Sequence, residues 1–96
     1  MDFNLSLRRA LKTGKVFLGQ NSTRACITDG KARLVVVAAN CPGDFRKYLE
    51  TVKGVPVHIF EGSGVQLGMA CGKPFLVSAL AVEEPGESDI LSLVRV

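Results

Sequence analysis

Apolar residues recur along the chain with two spacings, one typical of helices and one typical of buried strands. Phe3, Leu7 and Leu11 fall on one face of a helix, because separations of four positions match its period. Residues 34–39 form a continuous apolar run rich in valine, which favours a strand covered on both faces. In chain order, the pattern predicts helices at about residues 3–13, 20–29, 42–53, 63–70 and 87–93, and strands at about residues 16–18, 34–39, 57–60 and 75–82.

Polar residues mark several of the helix boundaries. Asn21 and Ser22 open the second predicted helix, where a side-chain oxygen can accept from an unpaired amide. Ser63 and Gln66 have the spacing of a capping box. Because helices alternate with strands, the sequence predicts a single domain over residues 1–96. Its expected fold class is α/β, a three-layer α/β/α sandwich in which a four-stranded mixed sheet has helices on both faces.

The composition agrees with one globular domain, since hydrophobic residues make up 47% of the 96 residues and charged residues 22%. The net charge of +3 is unevenly distributed. Residues 1–53 carry ten basic and four acidic side chains, whereas residues 54–96 carry two basic and five acidic ones. Such asymmetry is typical of a domain that presents one face to a polyanion. Ordinary solvated helix faces explain the same distribution, and composition alone slightly favours them.

No part of the chain predicts association with a membrane. No apolar run approaches the roughly 18 residues that cross a bilayer. The first residues, MDFNLSLRR, lack the basic-then-apolar order of a signal peptide. We therefore expect a soluble protein that is made and kept inside the cell.

The three cysteines do not form a recognisable metal or disulfide pattern. Cys26, Cys41 and Cys71 are separated by 15 and 30 residues, so there is no C-x-x-C pair, and the chain has one histidine. We expect all three to be small buried hydrophobes in a reducing compartment, with no bound metal or other cofactor.

Catalytic chemistry has little support in the sequence. His58 lies in an apolar strand, where a histidine is more often packed than catalytic. Glu83 and Glu84 are adjacent at the end of a predicted strand, so their side chains point to opposite faces. We expect a protein without enzymatic activity. A small enzyme that uses Cys41 or Cys71 is the alternative from a different functional class.

Two loops that follow strands indicate a ligand site. The first predicted strand ends at Gly19 and leads into Asn21 and Ser22 at a helix N-terminus, which suits a phosphate group. The second ends at Asn40, whose amide has donors and an acceptor that match base edges. We expect both loops at one edge of the sandwich. The competing interpretation, that Asn21 and Asn40 are only caps, has equal weight on these grounds.

Several segments together resemble a known family. They are LG at residues 18–19 followed by Asn21, GKARL at 30–34, AANCP at 38–42, CGKPF at 71–75 and GESDIL at 86–91. In this order, and over nearly the whole chain, they resemble the L30e family of large-subunit ribosomal proteins in its archaeal form. That family belongs to the L7Ae superfamily of kink-turn RNA binders.

The resemblance implies a fold, a ligand and a setting. The fold would be the same α/β/α sandwich, and the ligand would be ribosomal RNA at a kink-turn, which is a helix–internal loop–helix motif. The protein would be a non-catalytic component of the large subunit in the cytoplasm, without a cofactor. It would lie beside neighbouring large-subunit proteins and be a monomer when free. The alternative RNA-binding role is that of a stand-alone kink-turn protein in RNA modification or mRNA regulation.

The resemblance also implies which residues contact RNA. The first RNA loop, at the sheared G·A part of the kink, would consist of Gly19, Gln20, Asn21 and Ser22. Asn40 would read a base edge, and Lys73 would lie in the same site. Phe75 and Val77 would form an apolar pair that packs on an unstacked nucleotide.

One position departs from the family. A lysine that reaches the RNA backbone usually occupies the position of Ala25, and here Arg24 precedes the alanine. We expect Arg24 to supply the cation from a helix position about 100° away around the axis. Ser22 also replaces an acid found in the wider superfamily, which agrees with the ribosomal branch.

Overall fold

A computed structural model describes residues 3–41, 43–52, 54–86, 88 and 90. Helices and strands alternate, as the sequence predicts. The helices are α1 (Phe3–Thr13), α2 (Gln20–Thr28), α3 (Gly43–Thr51) and α4 (Gly64–Ala70), and the strands are β1 (Lys15–Leu18), β2 (Leu34–Ala38), β3 (Val57–Phe60) and β4 (Ala79–Glu84). Within these described residues, no helix is long and apolar enough to cross a bilayer.

The strands form one mixed sheet in the order β1-β4-β2-β3, which confirms the predicted sheet. Strand β4 is antiparallel to both of its neighbours, and β2 is parallel to β3. Leu18 lies opposite Leu80, and Val37 lies opposite Ala79. Strands β1, β2 and β3 therefore finish at the same end of the sheet, where β4 begins. We call this the loop end of the sheet.

Helices cover both faces of the sheet, so the predicted three-layer sandwich is confirmed. On one face, α1 and α4 bury side chains against alternate residues of the strands, including Leu7, Ala10, Leu67, Leu34, Val36, Leu80 and Val82. On the other face, α2 and α3 cover the intervening residues, and this core contains Cys26, Phe45, Leu49, Val35, Val37, Ala79 and Ala81. Strand β2 is fully buried because it contributes to both cores.

The last strand differs from its prediction. It begins at Ala79 rather than near residue 75, and it runs to Glu84. The cause is that the preceding segment, residues 73–77, pairs with a helix instead of a strand. The Lys73 N–H donates to the Gly68 carbonyl oxygen (2.9 Å), and the Val77 N–H donates to the Gly64 carbonyl oxygen (3.0 Å). Apolar composition alone did not distinguish this segment from a strand.

The helix ends show one confirmed cap and one wrong prediction. Ser63 Oγ accepts from the Gln66 N–H (3.2 Å), and Gln66 Oε1 accepts from the Ser63 N–H (2.9 Å), so the capping box is present. The N-cap of α2 is instead Gly19, and Asn21 and Ser22 lie within the first turn. The last predicted helix, residues 87–93, falls largely outside the described residues, as does the predicted start of the third helix at residue 42.

Candidate nucleic-acid interface

The N-terminus of α2 opens at the loop end of the sheet without a side-chain cap. Gly19 has φ 100° and ψ 160°, a conformation that requires glycine, and its carbonyl oxygen accepts from the Thr23 N–H (3.0 Å). Because Thr23 makes the first intrahelical bond, the N–H groups of Gln20, Asn21 and Ser22 have no acceptor within the helix. The first turn holds no acidic residue. The helix end therefore offers donors and positive potential to an anion such as phosphate.

Beside this helix end runs the segment 73–77, which carries two exposed apolar side chains. Phe75 is 53% exposed and Leu76 is 57% exposed, whereas Val77 is 1% exposed and belongs to the core. The predicted surface pair of Phe75 and Val77 does not fit this arrangement, because Val77 points into the sandwich. The residue that accompanies Phe75 at the surface is Leu76.

An open cleft of about 480 Å³ brings these two regions together. It lies between the start of α2 and the exposed segment, so the predicted first RNA loop faces Leu76 directly. Its walls are Leu18, Gly19, Gln20, Asn21, Ser22, Leu76 and Ser78. Polar amides thus line one side of the cleft and an apolar side chain lines the other, an arrangement that can hold both a phosphate and a base.

Asn40 lies at the same end of the sheet, exposed, two residues after the end of β2. Its Oδ1 accepts from the Gly64 N–H at 2.9 Å, at the first residue of α4. Only the amide oxygen can accept, so this bond fixes the orientation of the side chain. The side chain therefore does hold a helix end, as the capping interpretation proposed. Its Nδ2 nevertheless keeps two donors, which can meet acceptors on a base edge.

Arg24 does not extend freely toward solvent. Its guanidinium lies 4.5 Å from the ring centroid of Tyr48 and 5.6 Å from that of Phe45, so a cation–π contact holds it between α2 and α3. Stacking on a ring face leaves the N–H groups in the guanidinium plane able to bond a phosphate. The expected substitution of Arg24 for the family's lysine at Ala25 stays a prediction.

Two further cations lie on elements next to the cleft. Lys73 is exposed at the start of the segment 73–77, and its predicted contact with RNA stays a prediction. Arg46, in the first half of α3, places its guanidinium 3.5 Å from the Ala39 carbonyl oxygen at the end of β2. Sequence reasoning missed Arg46 and Leu76. The position of Arg46 three residues after the start of α3 was a usable signal, because that helix begins at the loop end.

The residues that could carry other chemistry are buried or packed. Cys26, Cys41 and Cys71 are all buried, as predicted. Burial raises the pKa of each thiol, and it raises that of Cys71 to about 11, which disfavours a nucleophilic thiolate. The ring of His58 packs 5.5 Å from that of Phe3. The described part of the chain contains no group of three or more potential metal ligands.

Comparison with known proteins identifies the family. A model described as the ribosomal protein L7Ae/L30e/S12e/Gadd45 family matches residues 1–92. The chain belongs to this family. The archaeal L30e resemblance seen in the sequence is thus confirmed, and the described fold is that of an L7Ae/L30e-family member.

Individual relatives cover the full length of the chain. It is 67% identical over 95 residues to the large ribosomal subunit protein eL30 of Methanospirillum hungatei, spanning 99% of this chain and 100% of the relative. It is 64% identical to the protein of the same name from Methanoregula boonei, over 99% of this chain and 98% of the relative. The eL30 of Methanothermobacter thermautotrophicus is 42% identical over 97 residues, which cover 98% of this chain and 99% of the relative.

Proposed function

We propose that this L7Ae/L30e-family chain is a non-catalytic component of the large ribosomal subunit that binds ribosomal RNA at a kink-turn. One observation carries the proposal: the open N-terminus of α2, Asn40 and the exposed pair of Phe75 and Leu76 converge at one end of the sheet. The names of its relatives support the ribosomal setting. Residues 1–96 would act as one RNA-binding domain, monomeric when free, in the cytoplasmic ribosome beside neighbouring large-subunit proteins.

Each part of the surface matches one need of a sharply bent RNA. A kink brings phosphates close together, and the three open amides at the start of α2 can bind them without a side-chain charge. The Nδ2 donors of Asn40 can bond acceptors on a purine edge in the opened internal loop. A nucleotide that leaves the stack needs an apolar surface, and Phe75 with Leu76 provides one.

Titration calorimetry on the full chain tests this proposal. The ligands are an RNA with a kink-turn and a matched duplex in which Watson–Crick pairs replace the internal loop. A base-edge contact and a stacked base contribute about 1–3 kcal/mol each, so we expect roughly thirtyfold or greater preference for the kink-turn. Equal affinity for both RNAs would contradict the proposal.

Sedimentation separates the ribosomal role from the stand-alone one. On a sucrose gradient of cell extract, the chain should migrate with the large subunit and resist removal at moderate salt. A chain that prefers the kink-turn in calorimetry but sediments only in light fractions would instead be a stand-alone kink-turn protein. Neither experiment depends on any particular side chain.

A further inference from the structure

Two glycines on α4 lie directly beneath the exposed apolar segment. Gly64 and Gly68 are four residues apart, so they share one face of the helix. A Cβ atom at Gly68 would collide with the carbonyl oxygen of Phe75, and one at Gly64 would lie 2.7 Å from Leu76 Cδ1. The backbone of the segment can therefore lie on the helix only because Gly68 lacks a side chain, whereas a side chain at Gly64 would displace the side chain of Leu76.

The same two glycines also fasten the segment at both ends. The Gly68 carbonyl oxygen accepts from the Lys73 N–H (2.9 Å), and the Gly64 carbonyl oxygen accepts from the Val77 N–H (3.0 Å). The buried side chain of Val77 anchors the second end in the core. Phe75 and Leu76, whose apolar side chains are exposed, lie between these two anchors. Because both ends are held, their distance from the axis of α4 is fixed.

Helix α4, on which the segment lies, is itself held at both of its termini. Asn40 Oδ1 and the capping box secure the N-terminus of α4. At the other end, Arg8 of α1 donates from Nε to the Ala70 carbonyl oxygen (3.2 Å) and from Nη2 to that of Met69 (3.1 Å). The position of the apolar segment relative to the sheet is thus fixed through a chain of specific bonds.

We infer that Gly64 and Gly68 are positioning residues, which set where Phe75 and Leu76 meet an unstacked nucleotide and thereby contribute to selection of a kinked RNA. This inference rests on the proposed RNA-binding function. On this inference, the two glycines contribute to RNA selection because they lack side chains. They lie in α4, a helix from which no RNA-binding residue was predicted.

The variant Gly68→Ala tests the inference, with Gly43→Ala as its matched control. Gly43 begins α3, is exposed, and has no atom within 4 Å of an added Cβ. The RNA carries 2-aminopurine at the looped-out nucleotide, whose fluorescence falls when it stacks. We expect Gly68→Ala to lose about tenfold in affinity and to leave the base unquenched, because the stack is lost. Gly43→Ala should bind and quench as the wild type does.

Two additional measurements separate positioning from general damage. The slope of log K against log salt should fall in Gly68→Ala by no more than the roughly one unit that Lys73, on the displaced segment, can contribute, because the phosphate contacts at α2 are intact. In a Phe75→Ala/Leu76→Ala background, Gly68→Ala should cost less than about twofold more, since the group that it displaces is already absent. Alanine has the higher helix propensity, so the substitution does not weaken α4 through propensity, and circular dichroism checks that the helix is retained despite the contact with Phe75.

The outcomes are distinguishable. If folded Gly68→Ala binds and quenches like the wild type, the inference is overturned while the proposed function stands. If the wild type shows no preference for the kink-turn, the proposed function itself fails. If circular dichroism shows Gly68→Ala unfolded, Gly64→Ala decides by the same criteria, because its added methyl group meets the end of the flexible Leu76 side chain.

Discussion

Asn40 is expected to have two separable roles, one for each atom of its amide group. Its Oδ1 accepts from the Gly64 N–H, and its Nδ2 is proposed to read a base edge. Asn40→Ala removes both atoms, whereas Asn40→Asp keeps an oxygen for Gly64 and replaces the donors by a negative charge. A comparison of the two variants therefore assigns stability to one atom and RNA affinity to the other.

The magnitudes follow from the bond that each variant loses. A neutral hydrogen bond contributes about 0.5–1.5 kcal/mol, so Asn40→Ala should lower the free energy of unfolding by about 1 kcal/mol. Asn40→Asp should leave it unchanged or raise it by a few tenths of a kcal/mol, because a carboxylate is favourable at a helix N-terminus. Both variants should lose about 1–3 kcal/mol of RNA affinity, with the larger loss for Asn40→Asp, because its charge repels phosphate.

Urea unfolding and calorimetry at one salt concentration measure the two quantities. Asn4→Ala and Asn4→Asp serve as controls, because Asn4 is also exposed and lies in the first turn of α1. Wild-type affinity in Asn40→Asp would refute the role of Nδ2. Equal destabilisation in Asn40→Asp and Asn40→Ala would refute the role of Oδ1, since only the latter loses the acceptor.

Four other substitutions have expected outcomes. Arg24→Ala should flatten the slope of log K against log salt by about one unit, and an unaltered slope would remove Arg24 from the phosphate contacts. Phe75→Ala should cost about 1 kcal/mol of stability or less but about 1–3 kcal/mol of RNA affinity. Val77→Ala should lower the free energy of unfolding by about 2 kcal/mol, because it empties a core position. If Phe75→Ala instead lowered stability and Val77→Ala lowered RNA affinity, Val77 would be the nucleotide contact and Phe75 the core residue. Burial raises the pKa of Cys71 to about 11 from a usual 9.0. The contribution of its neutral thiol to the free energy of unfolding is therefore fully present below about pH 9 and is lost as the pH rises toward about 11. The difference in unfolding free energy between wild type and Cys71→Ala should therefore shrink over that range, and parallel pH profiles would contradict it.

The parts of the fold that sequence predicted well were those in which local pattern and burial agree. Strand β2 is buried on both faces, so its run of apolar residues was unambiguous. Ser63 and Gln66 formed their capping box because both partners lie within one turn. The convergence of the loops after β1 and β2 followed from strand direction, which the alternation of helices and strands already indicated.

The parts that sequence did not predict depend on contacts between distant residues. Nothing near Phe75 indicates that its backbone lies on Gly68, so local pattern predicts a strand there, and the family resemblance alone, which pairs Phe75 with Val77, does not reveal that Val77 is buried. The stacking of Arg24 on Tyr48 joins two helices that are separated by a strand. Similarly, the bond from Gly64 to Asn40 spans 24 residues. Each of these contacts appears only once the sandwich has formed.

The central place of β4 determines when this chain can fold. Strand β4 is the last described strand in the sequence, yet it lies between β1 and β2, and among the described strands it alone pairs with β1. During synthesis, β2 and β3 can pair early through α3, but the backbone of β1 must wait for residues 79–84. A nascent chain that stops before them cannot close the sheet or bring the start of α2 beside Leu76. The complete surface at the loop end is therefore acquired in one step, only after residues 79–84 have been made.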